Sequence, residues 1–555
     1  MGKKMSAMKL VHRIIFTVCP LLLPAFATCV ACGDDLPPGQ RDLDEATKIH
    51  FEGKSDYVDR VIVLCESALK KGLDGPGTIF TKELASSTLF RRASVSAQRI
   101  LQPGIRQSAR LRYRELAVKD LESAIKFKPE FADGHLLLCE LSSMPGGDRK
   151  RGFKAASAAV ESFNKANDKL RAASAYLWRA RFGDDLVQQL ADFAKASELD
   201  PDNMGILRQQ ADFLHGKQQF GEAVKTLKKL VKASPDDAKL RLALAESLSQ
   251  TGEEGVIEAF DQIEKVIELA PDMTAVYRMR AQLYIAQEKP EEAIEDLTKA
   301  IQIDRGDIGA RLFRAEIYLF EDELEKARQD VNRALSLNPG IVYGIQLRSR
   351  ISAAEKKYSQ AIDDIRLLIG NDPDDAGHRL QLAAYLNADQ RPRAAIKEIT
   401  RVLEKDASNW RALRSRADAF LSVGKHVEAL ADYERALKMS PENSGILNNF
   451  AWVLATSTDD KVRNGKRAIE LATKACEVTE YKEAHILSTL ASGYAEAGDF
   501  ESAIKWSTKA VDLGEGEMKE QLRGELKSYQ EKKPWREKQV VEEKETKDRP
   551  NLIET

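Results

Sequence analysis

Seven histidines and six cysteines are the residues of this sequence that could ligate a metal ion or act as nucleophiles. No two histidines have the close spacing of a metal-binding pair. The sequence also lacks the His-Glu-x-x-His, Gly-x-x-x-x-Gly-Lys-Ser/Thr and Gly-x-Ser-x-Gly motifs of metalloproteases, nucleotide-binding enzymes and hydrolases. We therefore predict a protein that is not an enzyme, with no catalytic residue, no metal site and no cofactor.

The cysteines fall into two groups. Cys19, Cys29 and Cys32 lie within the first 32 residues, whereas three others are scattered along the chain at positions 65, 139 and 476. Three scattered cysteines cannot form an even disulfide framework. The Cys29-x-x-Cys32 pair has the spacing of a redox or metal motif, but its position favours a role in processing the chain.

Residues 1–32 have the order of a secretory leader: basic residues, an apolar run over 14–23, and then a small-residue segment. The apolar run is too short, and too interrupted by proline, to be a good membrane span. Two processing routes stay open. Cleavage after Ala27 or Ala31 would release a soluble protein, whereas lipidation at Cys29 or Cys32 would anchor it to a membrane. We predict export to the periplasm or cell envelope.

The charge balance argues against a nucleic-acid partner. Lysine and arginine number 85, aspartate and glutamate 87, and the formal net charge is −2. Nucleic-acid-binding domains are usually strongly basic, with the charge gathered on one face. We therefore expect a protein or peptide partner, and no nucleic acid.

A repeat dominates the second half of the chain. Alanines recur at positions 223, 259, 293, 327, 361, 395, 429, 468 and 503, with most steps equal to 34 residues. A small residue precedes most of these alanines by about twelve positions, and a proline often follows at a similar distance. Small residues allow two helices to pack closely, and proline ends a helix. Each unit therefore predicts a helical hairpin.

The repeat divides the chain into regions. We assign 33–45 to a linker, 46–200 to a helical region with degenerate repeats, and 201–514 to the regular array. Residues 515–535 are predicted to form a capping helix, since a repeat array must cover its last apolar face. The charged end, 536–555, lacks apolar periodicity and is predicted to be disordered.

The 34-residue period and its alanine, aromatic and proline positions resemble the tetratricopeptide-repeat family, in an exported bacterial type. One repeat matches the family pattern at Ala417, Phe420, Ala429, Ala436 and Pro441. The resemblance implies an all-α fold, a right-handed α-solenoid (superhelix) of about nine regular and two or three degenerate hairpins. It also implies an inner groove, lined by the first helix of each repeat, that binds a peptide or a partner protein.

Family geometry then selects candidate groove residues. An arginine in such a groove could hold a carboxylate or a peptide backbone. The alternative interpretation of each one is a solvated, mixed-charge surface. The candidates are Arg208, Arg278, Arg350, Arg411, Arg414, Asn448 and Trp452.

Three functional hypotheses follow. The favoured one is an exported, non-catalytic scaffold or adaptor that binds a protein or peptide in the groove. The second is a structural solenoid of the cell envelope that associates with itself. The third places an accessory or enzymatic site in residues 42–200, the least regular part. The sequence does not identify the partner or the oligomeric state.

Overall fold

The computed structural model describes residues 36–53 and 57–537, and the predicted leader with Cys29 and Cys32 lies outside them. By packing, the chain divides at Gly255 into two units. The helices of the first unit are α1 (Gln40–Glu52), α2 (Tyr57–Lys71), α3 (Gly75–Ile100), α4 (Gln107–Phe127), α5 (Ala132–Ser142), α6 (Arg149–Lys165), α7 (Lys169–Phe182), α8 (Leu186–Leu199), α9 (Met204–Gly216), α10 (Phe220–Ala233) and α11 (Ala238–Leu248).

Helix α12 (Glu253–Leu269) contains the division. The second unit continues with α13 (Thr274–Ala286), α14 (Pro290–Ile303), α15 (Ile308–Phe320), α16 (Leu324–Leu337), α17 (Val342–Ala354), α18 (Tyr358–Asn371), α19 (Ala376–Ala388), α20 (Pro392–Lys405), α21 (Trp410–Ser422), α22 (His426–Met439), α23 (Ser444–Thr456), α24 (Gly465–Val478), α25 (Ala484–Glu496), α26 (Phe500–Leu513) and α27 (Gly516–Gln530). The described residues form no strand. None of their helices is long and apolar enough to cross a membrane.

Consecutive helices pack as antiparallel hairpins, and the hairpins stack on their neighbours, so the fold is an all-α solenoid. In the second unit the hairpins run from α13–α14 to α25–α26, and α27 packs on α26. The alanines that set the repeat lie where the helices meet. Ala281 and Ala293 are fully buried in one hairpin, as are Ala315 and Ala327 in the next. A larger side chain there would separate the helices.

Aspartate or asparagine begins most of the first helices in the second unit. The side chains of Asp307, Asp375, Asn409 and Asn443 each accept a hydrogen bond from a backbone N–H in the first turn of the helix that follows. This N-cap satisfies a donor that the helix itself leaves unpaired. These caps therefore fix where four of the hairpins begin.

The irregular region before residue 200 contains four hairpins, α1–α2, α3–α4, α5–α6 and α7–α8, where the sequence predicted two or three. Two features obscured the period. Helix α3 has 26 residues, twice the usual length of a first helix. Helix α1 begins inside the predicted 33–45 linker, because Leu43 and Ala46 are buried against α2 and α3. Gly39 permits this packing, since a Cβ atom there would lie 2.2 Å from the carbonyl oxygen of Ala68.

The turns inside successive hairpins place one residue in the left-handed region of backbone space. Glu288, Asp322, Lys356 and Gln390, 34 residues apart, have φ values of 58–60°, and Gly424 has the equivalent position with φ 74°. This conformation is unfavourable for most residues with a side chain. We expect Gln390→Gly to raise the free energy of unfolding by about 1 kcal/mol, measured by urea denaturation. Gly424→Ala is the matched change and should lower it; equal effects of both changes would contradict this explanation.

Candidate partner-binding face

The first helices of the second unit bring residues at 34-residue intervals to equivalent positions on successive hairpins. One such row passes through the predicted candidates Arg350 and Trp452. Its members are Gln282, Glu316, Arg350, Ala384, Asp418 and Trp452. A second row contains Arg278, Arg414 and Asn448, and a third contains Arg411. The sequence-predicted residues therefore belong to a common helix face, but their surroundings differ from hairpin to hairpin.

Arg278 holds two hairpins together. Its Nη1 atom lies 2.9 Å from Oδ1 of Asp307, the N-cap of α15 in the next hairpin. Gly309 makes room for the guanidinium, since a Cβ atom at Gly309 would lie 2.6 Å from Nη1 of Arg278. In the first unit, Arg208 makes the same kind of bond, at 2.7 Å, to Asp237 at the start of α11. Both arginines are thus already paired with a carboxylate.

Arg350 on α17 is also paired. Its Nη1 atom lies 3.3 Å from Oε1 of Glu316 on α15, and Tyr343 donates its hydroxyl to Oε2 of the same carboxylate at 2.5 Å. Partial burial and the Glu316 charge raise the pKa of Tyr343, so the phenol stays protonated as the donor. The pair is half exposed, and such pairs contribute little to stability. Arg350 therefore belongs to a polar row along the face.

Helices α21 and α23 carry Arg411, Arg414 and Asn448, and they meet where a Cβ atom at Gly445 of α23 would lie 3.3 Å from Nη1 of Arg414. The Arg411 guanidinium stacks over the ring of Trp410, 4.7 Å from its centroid, and within the described residues it has no carboxylate partner. Arg414 lies one turn further along α21, and its Nε atom forms a long ion pair with Oδ2 of Asp418, at 3.8 Å, which is beyond hydrogen-bonding distance. Two arginines on this helix therefore keep most of their donors unengaged.

Asn448 lies on α23, in the position equivalent to Arg414. Its side chain is only 8% exposed, and its Oδ1 atom has no hydrogen-bond partner in the described structure. Its Nδ2 atom donates to Asn449 at 3.2 Å, and Asn449 in turn donates to Asp418 at 3.1 Å. Tyr433 also donates to Asp418, which fixes this carboxylate between the helices. A buried acceptor without a partner is uncommon and costs free energy, so this position calls for a donor.

Trp452 is covered by the chain's own C-terminal segment. Its indole Nε1 donates to Oε2 of Glu537 at 2.5 Å, and the Glu537 backbone N–H donates to the carbonyl of Thr456 at 3.1 Å. Arg536 donates to Glu496 at 2.5 Å and to the Ala455 carbonyl at 3.2 Å. Residues 536 and 537 are therefore held at the ends of α23 and α25, and the prediction of a disordered tail that begins at residue 536 is wrong for these two residues. The Trp452 indole N–H is therefore already engaged within the chain and is not free to bind a ligand together with Arg411.

The lengthened turn at 456–466 supports this segment. Val462 is buried, and Asn464 caps α24. Arg463 donates to Glu496 at 2.9 Å, so Glu496 lies between Arg463 and Arg536. The insertion that interrupts the 34-residue period thus provides part of the site where the C-terminal segment docks. In the sequence, the lengthened turn and the Trp535-Arg536-Glu537 segment lie about 70 residues apart. Nothing in either segment indicates directly that they pack together.

Sequence reasoning also missed a set of ion pairs within the hairpins. Each joins an arginine of the first helix, through two hydrogen bonds, to an aspartate 16 residues later in the second. The pairs are Arg280–Asp296, Arg314–Asp330, Arg348–Asp364 and Arg416–Asp432. The sequence does contain a pattern that could have predicted these pairs, since arginines 280, 314 and 348 follow the 34-residue period. These arginines stabilise hairpins and do not form the candidate site.

The described residues offer no group of three or more histidine, cysteine and carboxylate side chains that could hold a metal ion. Cys65, Cys139 and Cys476 are free and buried. Burial raises the pKa of Cys65 to about 12 and that of Cys476 to about 11, so both thiols stay protonated. A protonated, buried thiol is a poor nucleophile.

Two parts of the chain, residues 284–345 and 380–444, match family models for the tetratricopeptide repeat. The chain is a tetratricopeptide-repeat protein. A search of curated protein sequences found no match.

Solved structures similar to this tetratricopeptide-repeat protein include three of bacterial origin. A tetratricopeptide repeat protein from Parabacteroides merdae is 17% identical, over 44% of this chain and 97% of that one, with a TM-score of 0.35. MamA from residue 41 to its end, from Desulfovibrio magneticus RS-1, is 15% identical, over 30% and 95%, with a TM-score of 0.29. The pilF protein of Pseudomonas aeruginosa is 16% identical, over 39% and 96%, with a TM-score of 0.33.

Proposed function

We propose that this tetratricopeptide-repeat protein is an exported, non-catalytic scaffold that binds an acidic peptide segment of a partner protein on the face formed by α21 and α23. Tetratricopeptide repeats generally serve as protein-interaction scaffolds. The finer assignment rests on one observation. Arg411 and Arg414, one turn apart on α21, both have donors that no hydrogen bond engages.

The guanidinium groups of Arg411 and Arg414 indicate what kind of ligand would bind. A guanidinium binds a carboxylate through two parallel hydrogen bonds, which gives both strength and orientation. One carboxylate on Arg411 and Arg414 would engage donors that make no hydrogen bond in the free protein.

Substitution of the two arginines tests the proposal. We expect Arg411→Ala with Arg414→Ala to weaken partner binding at least about tenfold, since a hydrogen bond to a charged group contributes about 1.5–3 kcal/mol. The measurement is titration of partner recovered from an envelope extract. The matched control is Arg333→Ala with Arg366→Ala, two exposed arginines on the second helices α16 and α18. Equal binding by wild type and both double variants would contradict the assignment.

Export has a separate test. Support for it comes from the leader-like order of residues 1–32 in the sequence. The intact mass of the mature protein from producing cells should correspond to a chain that begins after residue 27 or 31, or at a lipid-modified Cys29 or Cys32. A mass that retains all 555 residues would contradict export.

A further inference from the structure

A short segment, residues 534–537, returns to α23 and α25 after the capping helix α27 has ended, and we call it the strap. Trp535 packs, partly buried, on the apolar cluster between α25, α26 and α27. The next two residues, Arg536 and Glu537, bind the ends of α23 and α25 through polar groups. The strap is therefore attached by an apolar side chain at its start and by charged side chains at its end.

The end of the strap is held weakly. Two hydrogen bonds join Glu537 to α23, one from the Trp452 indole to its carboxylate and one from its backbone N–H to the Thr456 carbonyl, and the residue is exposed. A charged contact at an exposed position contributes little net free energy and is screened by salt. Glu537 can therefore leave Trp452 at small cost, while Trp535 stays packed on its apolar cluster.

Arg536 can leave without creating an isolated buried charge. It donates to Glu496 of α25 at 2.5 Å, and this carboxylate is only 15% exposed. Glu496 also accepts a hydrogen bond from Arg463 at 2.9 Å, so it keeps a counter-charge when Arg536 is released. Removing a partner from a buried ion pair is costly mainly because the other charge is left alone. The second arginine avoids that cost.

The strap covers a residue of the proposed partner-binding face. Asn449 of α23 donates to Asp418 of α21 at 3.1 Å, so these two helices are in contact one turn before Trp452. Arg414 lies one turn before Asp418 on α21. The Trp452 indole N–H is directed at a carboxylate of the chain itself, that of Glu537. Glu537 thus occupies, on this face, a donor that an acidic ligand could use.

We propose that Arg536 and Glu537 form an autoinhibitory contact. In the closed state, the chain's own carboxylate engages the Trp452 indole. Opening of the strap releases this donor to an acidic ligand on the α21–α23 face, and the regulation presupposes the acidic-peptide site proposed above. Salt favours the open state, because it screens the charges that close the strap.

The first test measures opening without any ligand, by hydroxyl-radical oxidation of Trp452 in the full chain. Trp178 of the first unit is the internal reference. We expect Glu537→Ala to speed oxidation of Trp452 about twofold to fivefold, the effect of losing an exposed charged contact, while Trp178 is unchanged. Arg536→Ala should act in the same direction. The matched control is Glu531→Ala, at an exposed glutamate just after α27, and should leave oxidation unchanged.

The second test measures binding of fluorescein-labelled hexaglutamate by anisotropy. Arg536→Ala removes a positive charge, so direct attraction alone would weaken the binding of this acidic peptide. Opening of the strap should instead strengthen it about twofold to fivefold. Glu537→Ala should strengthen binding as well. Glu531→Ala, which removes the same charge outside the strap, should leave binding unchanged.

Unchanged oxidation of Trp452 in both strap variants, or weaker hexaglutamate binding by the Arg536→Ala protein, would overturn the inference. If Arg411→Ala with Arg414→Ala abolishes binding while the strap variants bind like wild type, autoinhibition fails and the proposed function stands. If binding is absent, or is indifferent to those two arginines in every variant, both fail together.

Discussion

Replacing Asp330 with alanine is expected to lower the free energy of unfolding by about 3–5 kcal/mol, the usual effect of removing one partner from a buried ion pair. Asp330 on α16 receives two hydrogen bonds from Arg314 of α15, at 2.7 and 2.8 Å, and both side chains are largely buried. Without the carboxylate, the guanidinium would remain between the helices without its counter-charge. Urea denaturation measures the loss.

The control for this result removes both charges. We expect Arg314→Met combined with Asp330→Leu to cost less than Asp330→Ala alone, since Arg311, whose Nη1 atom lies 3.4 Å from Asp330, is then the one arginine that loses a counter-charge. In the α19–α20 hairpin, the position equivalent to Arg314 is the buried Leu382, and the equivalent carboxylate, Glu398, pairs with Arg379 instead. If the double variant lost as much stability as the single one, the attraction between Arg314 and Asp330 would explain the loss. The cost of burying a charge without a partner would then not explain it.

Removal of the Tyr529 side chain is expected to have the second large effect. Tyr529 on α27 is fully buried against Ala491, Ala495 and Ala503. Its hydroxyl lies 2.8 Å from that of Ser492 on α25. Tyr529→Ala should therefore cost about 3–5 kcal/mol, as large aromatic truncations in a core do.

The loss should be local, because each hairpin contacts mainly its neighbours. We expect hydrogen exchange to speed up in α25 and α26 while α15 and α16 keep their protection. Tyr529→Phe is the control, and should cost about 1 kcal/mol for the lost hydrogen bond. Unchanged exchange in α25 with Tyr529→Ala would show that α27 does not cap the array.

The repeat made the architecture predictable from the sequence. Buried alanines such as Ala315 and Ala327 follow a fixed period, and a period of 34 residues allows little besides a helical hairpin. The irregular first hairpins were harder, because the length of α3 and the position of α1 depend on packing that no local pattern encodes.

The candidate site was predictable only in part. The sequence places Arg278, Arg350, Arg411 and Arg414 at similar positions, yet it does not say which of them is already paired. Arg278 depends on Asp307, 29 residues away, and Arg350 on Glu316, 34 residues away. The contact of Trp452 with Glu537 spans 85 residues. Such contacts arise from the stacking of hairpins, which composition and spacing alone do not specify.

The central claim is that α21 and α23 form a binding face for a peptide, and photo-crosslinking tests it most directly. A photoreactive amino acid in place of the exposed Arg411, in the full chain within producing cells, should form a crosslink to a partner protein at an acidic segment. The same amino acid in place of Arg333 should not form that crosslink. A partner captured equally from both positions, or from neither, would contradict the account.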